Sequence, residues 1–81
     1  MRVTVRLFAR LRDIAGATEL ERELPVGATA RTLWDALTTE HAALSPYRDS
    51  VSTAVNEEYA KMDTPLADGD DVAFLPPVSG G

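Results

Sequence analysis

Five short alternating stretches and one long amphipathic one limit how this chain can close a core. Leu33, Trp34, Leu37, His41 and Leu44 recur at helical i, i+3 and i+4 steps. That spacing predicts one helix over Ala30–Leu44 with a single apolar stripe. Thr29 is the expected N-cap, and Ser45-Pro46 the stop. The remaining segments read as strands. Val3, Val5 and Leu7 alternate with Arg2, Thr4 and Arg6. Leu20 and Leu24 face inward, with the stem of Arg22 between them and Glu19, Glu21 and Glu23 outside. Val51, Thr53 and Val55 alternate again, Tyr59–Met62 returns as a short strand, and Val72–Leu75 closes the series. A short helix over Ala9–Gly16, with Leu11 and Ile14 on one side, ends at a glycine stop. The order is therefore β, short α, β, long α, β, β, β. One helical stripe covers one face of a small sheet, so layer logic gives an α+β sandwich whose other face is bare.

The chain has 81 residues, which sets the expectation of one domain with one modest core. Thirteen acidic groups against eight basic ones give a net charge of −5. That balance argues against a nucleic-acid partner, which would be met by a basic face. There is no cysteine, so disulfides, thiolate metal sites and a cysteine nucleophile are excluded; the same composition fits a reducing compartment. No apolar run has transmembrane length, and MRVTVRLF alternates instead of forming a signal-peptide core. The expected location is the cytoplasm, with no membrane partner.

Few residues carry chemistry. His41 is the only histidine, and no second metal ligand or nucleophile accompanies it at a useful spacing, so no metal site is expected. Asp68, Asp70 and Asp71 fall in a turn, where backbone hydrogen bonding explains them better than acid–base work. Asn56-Glu57-Glu58 suits a tight turn but lacks glycine, which leaves the turn type open. Lys61 is the only lysine. Phe8 falls on the polar face of the first strand, either covered by the following turn or exposed for a partner. Strand neighbours point to opposite sides, so one of Phe74 and Leu75 should join Phe8 on the bare face.

The sequence ends Pro76-Pro77-Val78-Ser79-Gly80-Gly81. The two prolines fix φ and remove two donors, which stops the last strand and holds the chain extended. The four residues after Pro77 then reach about 13–14 Å. Such a tail is a thin probe on a stiff base, suited to a channel that any β-carbon would block. The division expected is a domain over 1–75 and an extended, flexible tail over 76–81. Fixing four backbone residues costs roughly 4–8 kcal/mol, while burying the Val78 side chain returns only about 1.5–3 kcal/mol. A docking tail therefore needs help from an interface on the folded part. Its reactive group would be the terminal carboxylate of Gly81. Adenylation turns that poor electrophile into a mixed anhydride, which a sulfur or amine nucleophile can attack.

The run Leu66-Ala67-Asp68-Gly69-Asp70-Asp71-Val72-Ala73-Phe74-Leu75 and the tail after it resemble the carboxy terminus of the MoaD family. These are the ubiquitin-like sulfur-carrier small subunits of molybdopterin synthase. Leu7-Phe8-Ala9-Arg10-Leu11-Arg12-Asp13 and Ala54-Val55-Asn56 are similar to its other recurrent segments. The resemblance implies a β-grasp (ubiquitin-like) fold, a mixed sheet covered on one face by one main helix. It implies that Gly81 is adenylated by an E1-like enzyme (MoeB) using ATP, then converted to a thiocarboxylate by a sulfur-donor system. Pro76, Pro77, Val78, Ser79 and Gly80 would insert with it into the large subunit, MoaE, in a heterotetramer. There Gly81 would give sulfur to precursor Z in molybdenum cofactor biosynthesis. The small subunit itself would bind no cofactor and be non-catalytic alone. Phe8, Phe74 and Leu75 match positions that pack on partners. A carrier for thiamine or tRNA thiolation, a modifier forming isopeptide bonds, and a passive interaction domain are the alternatives.

Overall fold

A computed structural model describes residues 1–77. Five strands form one mixed sheet: β1 (Arg2–Leu7), β2 (Glu19–Glu23), β3 (Ser52–Val55), β4 (Glu58–Ala60) and β5 (Asp71–Leu75), in the order β2-β1-β5-β3-β4. β1 and β5 are parallel neighbours at the centre, and every other pairing is antiparallel. Helix α1 (Ala9–Ala15) follows β1, and α2 (Ala30–Glu40) follows β2. This is the β-grasp arrangement, an α+β fold with one face of the sheet covered.

The core forms where the two periodicities meet. Val3, Val5 and Leu7 of β1 and Val72 and Phe74 of β5 are fully buried with Leu33, Trp34 and Leu37 of α2. Trp34 packs on Phe74 with ring centroids 5.0 Å apart and planes inclined at 57°. Tilted aromatic pairs of this kind add about 0.5–1.5 kcal/mol beyond area burial. Thr29 caps α2 as its sequence predicts: its hydroxyl accepts from the Thr32 amide, and the Thr32 hydroxyl accepts from the Thr29 amide. Gly16 ends α1 in the left-handed region, φ 74°.

The long helix stops earlier than its apolar spacing predicts. α2 ends at Glu40, His41 is non-helical, and Ala42–Tyr47 continues as a 3₁₀ segment. Pro46 explains the switch, because in an α-helix its ring would strike the Ala42 carbonyl and it has no amide to donate there. The Thr38 and Thr39 hydroxyls also both bond the Asp35 carbonyl, a competition that weakens the last turn. The tighter winding still delivers Leu44 to the core, fully buried. Arg22 on β2 braces the same helix end, its Nε and Nη2 donating to the Glu40 carboxylate at 2.9 and 2.6 Å.

Asn56 and Glu57, between β3 and β4, have φ of 51° and 72°. Two successive positive φ values make this a type I′ hairpin turn, normally an Asn-Gly pair, and resolve the turn type the sequence left open. Asn56 fits locally, donating to the Asp70 carboxylate and accepting from the Asp71 amide. Glu57 carries a β-carbon where glycine is favoured.

Candidate functional site

Everything the helix does not cover lies on the opposite face, and the strand registers say which residues those are. Arg6 pairs with Ala73, Ala73 with Ala54, and Ala54 with Tyr59. Directly paired residues share a face, so this row crosses the bare side from β1 to β4. A second row runs through Leu75 and Ser52. Tyr59 stands 83% exposed at the end of the first row. It was not singled out from sequence; the signal was there in the alternation of β3 and β4 across a two-residue turn.

Phe8 joins this face. Leu7 points into the core, and Phe8 continues the strand in an extended conformation, φ −122° and ψ 152°, 42% exposed. Of the two environments left open by sequence, the exposed one is found. Because β1 and β5 run parallel with Leu7 beside Phe74, Phe8 leaves the sheet at the same end as Leu75. The local backbone pays for this position. Phe8 is the N-cap of α1 without a side-chain cap, where Ser, Thr, Asp or Asn is favoured by about 1 kcal/mol. Ala9 follows at φ 49°, a region alanine seldom adopts. Glu57 and Phe8 line the same depression, with Arg6, Asp71 and Ala73, so one positive-φ residue, Glu57, lines this surface and another, Ala9, directly follows Phe8. Strain of this kind concentrates where binding demands a geometry.

Phe74 is a correction to the expected interface set of Phe8, Phe74 and Leu75. It is fully buried against Trp34, because Val72 and Phe74 share the inward side of β5 while Asp71, Ala73 and Leu75 take the outward one. Leu75, half-buried, is the member of the pair that reaches the bare face. Pro76 follows half-buried and Pro77 exposed. Val78, Ser79, Gly80 and Gly81 lie outside the described residues. The root of the tail thus sits on a central strand bonded on both sides, by β1 and by β3.

Charge surrounds the patch. Arg6 Nε donates to both Asp71 oxygens at 2.8 and 3.0 Å, and Arg6 Nη1 lies 2.9 Å from Glu19. The hydrogen bond to Asp71, then the charges of Asp71 and Glu19, hold the Arg6 guanidinium still more firmly protonated. With Arg6 matched by Asp71, Glu19 and Glu57 leave the rim acidic. The nearby carboxylates are structural. Asp68 accepts from the Arg2 amide at 2.7 Å, and Asp70 accepts from the Ala67 amide at 2.8 Å and from Asn56. Among the described residues no cluster of three His, Cys, Asp or Glu could hold a metal ion, and no helix is long and apolar enough to cross a membrane. What this face offers is a small apolar patch, Phe8 and Leu75, beside the end of β5.

The profile of the ThiS family matches residues 5–81. The molybdopterin synthase sulfur carrier subunit of Escherichia coli (strain K12) is 37% identical over 81 residues, covering 98% of this chain and 99% of that protein. The Arabidopsis thaliana protein of the same name is 35% identical over 79 residues, covering 98% and 82%. Among solved structures, SAMP1 from Haloferax volcanii matches with a TM-score of 0.88 at 32% identity, covering 100% of both chains. A chain from the complex of subunits 1 and 2 of the molybdopterin-converting factor of Helicobacter pylori matches with a TM-score of 0.68 at 28% identity, again over 100% of both.

Proposed function

The chain belongs to the ThiS family, and on that premise we propose that it is the sulfur-carrier small subunit of a molybdopterin synthase. The carrying observation is full-length similarity to proteins of that name in a chain whose bare face lies beside the root of its Gly-Gly tail. Gly81 is the working residue. An E1-like enzyme adenylates its carboxylate with ATP, and a sulfur donor replaces AMP to leave a thiocarboxylate. Residues Pro76 to Gly80 then carry that group into the large subunit, where its sulfur passes to precursor Z. This chain supplies position rather than acid–base chemistry. The complex of subunits 1 and 2 from Helicobacter pylori supports a large-subunit partner; the proposal itself adds an assembly of two small and two large chains. Phe8 and Leu75, with the acidic rim, form the docking patch; Phe74 supports them from beneath.

The reaction is tested by reconstitution. Thiocarboxylated chain, large subunit and precursor Z should yield molybdopterin, and deleting Gly81 should abolish the yield while leaving thermal unfolding unchanged. Phe8→Asp should weaken large-subunit binding by at least about tenfold, the equivalent of 1.4 kcal/mol. Unaltered transfer after the deletion would refute the role of Gly81; unaltered binding would take Phe8 out of the interface. The likeness to SAMP1, the small archaeal modifier protein 1 of Haloferax volcanii, favours a second reading as a protein modifier. Conjugates of high mass in place of molybdopterin would support it.

A further inference from the structure

The chain has two methionines, Met1 and Met62, both half-buried and packed against the core. Among the described residues only one of the two sulfurs accepts a hydrogen bond: the Thr53 hydroxyl donates to Met62 Sδ at 3.0 Å. Thr53 is the one buried polar residue among those described, 3% exposed, so its hydroxyl has no water to turn to instead. It lies on β3, paired with Phe74 on one side and Ala60 on the other. A thioether is a weak acceptor, yet it is what satisfies this hydroxyl. The Trp34 indole nitrogen, not Thr53, is the buried side-chain polar atom left without a partner among the described residues.

Met62 also ties the sheet to the long helix. Its carbonyl accepts from the Arg31 amide at 2.8 Å, and the Thr64 carbonyl accepts from the Ala30 amide at 3.1 Å. Those amides open α2, where the first turn has no intrahelical acceptor. The side chain and backbone of Met62 thus join β3 to the start of α2.

We propose that Met62 is a site of sulfoxidation by peroxides, and that Thr53 directs the oxygen to one face of its sulfur. A thioether sulfur has two lone pairs, and the Thr53 O–H engages one of them. The other attacks an oxygen of hydrogen peroxide. An S–O bond forms, the O–O bond breaks, and the departing hydroxide takes the proton of the transferred oxygen and leaves as water. Sulfur is oxidised by two electrons and the peroxide is reduced by two. The sulfoxide is chiral, and each of its epimers has its own reductase, so one-sided attack is read as an excess of one epimer. The product sets a polar S=O against the core where a flexible apolar chain had packed, which loosens the link between β3 and α2.

The test treats the full chain with hydrogen peroxide, folded and unfolded in urea. Fragment mass spectra locate the added oxygen, and treatment of the digested chain with each epimer-specific reductase counts the epimers. The expected result is sulfoxide at Met62 in the folded chain with one epimer about fivefold in excess, the factor that one net hydrogen bond supplies, and equal epimers after oxidation in urea. Thr53→Ser keeps the donor and should keep the excess; Thr53→Val removes the donor and should give equal epimers. Oxidation should also lower the urea midpoint reported by Trp34 fluorescence, and leave unmoved that of Met62→Leu, a swap of similar volume that retains only Met1. Met62 left unoxidised in the folded chain by peroxide that oxidises it in urea overturns the proposal. So do equal epimers in the folded chain, an excess that survives in Thr53→Val, or a wild-type midpoint that does not move.

Discussion

The chain has two phenylalanines, and the fold assigns them opposite duties, which makes Phe74→Ala the most informative perturbation. Phe74 is fully buried, beside Leu7 in the β1 register and against Trp34 at 5.0 Å. Truncating a buried phenylalanine to alanine costs about 3–5 kcal/mol, the lost transfer energy plus the cavity left behind. A domain of this size has about 4–12 kcal/mol in all, at 0.05–0.15 kcal/mol per residue. The variant therefore loses a quarter of its stability at the least, and in the marginal case all of it. At about 4–8 °C per kcal/mol, the midpoint falls by 12 °C or more. Phe8→Ala, by contrast, changes a side chain 42% exposed at an uncapped helix start, and should cost under about 1 kcal/mol. Urea unfolding followed by the fluorescence of Trp34, the only tryptophan and fully buried, compares them directly. If Phe74→Ala is too unstable to titrate, Phe74→Leu keeps most of the volume and loses mainly the aromatic pair, about 0.5–1.5 kcal/mol. Equal midpoints for Phe8→Ala and Phe74→Ala would refute the assignment of the two rings to surface and core.

The hairpin and the helix brace give two further predictions. Glu57→Gly should raise stability by about 0.5–1 kcal/mol, since relieving the left-handed conformation is worth about 1–2 kcal/mol and the added freedom of glycine when unfolded returns about half of that; a lower melting temperature in calorimetry would show that the turn is not strained there. The Arg22 hydrogen bond, followed by its charge, holds the Glu40 carboxyl below its ordinary value of 4.5. A depressed carboxyl stabilises the fold above its unfolded pKa, and that contribution is lost as pH falls through the folded one. The pair is partly exposed, so the gain stays under about 1 kcal/mol. Urea midpoints of the wild type and Glu40→Gln should differ at neutral pH and converge in acid; divergence in acid would contradict the pairing.

Local pattern told most of the architecture. The alternation of β1 and β5, the stripe of α2, the Thr29 cap and the Gly16 stop all depend on neighbours within a few residues, and so were legible. The break at His41 was not, because it arises from Pro46 acting backward on Ala42 while Leu44 keeps its apolar spacing. Which of Phe74 and Leu75 faces outward depends on the register of β5 against β1, a contact between the two ends of the chain. Tyr59 gained meaning only when the registers placed β4 at the edge of the bare face, two strands from β5. Arg6, read as a polar strand residue, proved to be paired with Asp71, 65 positions away.

In the proposed function the folded part presents a reactive carbonyl at Gly81 for sulfur transfer. Intact-mass analysis of the chain after incubation with an E1-like enzyme, ATP and a sulfur donor tests it most directly. One oxygen replaced by sulfur, located at Gly81 by fragmentation, is the predicted result. An unchanged mass while the enzyme turns over ATP on this chain, or sulfur found at any other residue, would contradict it.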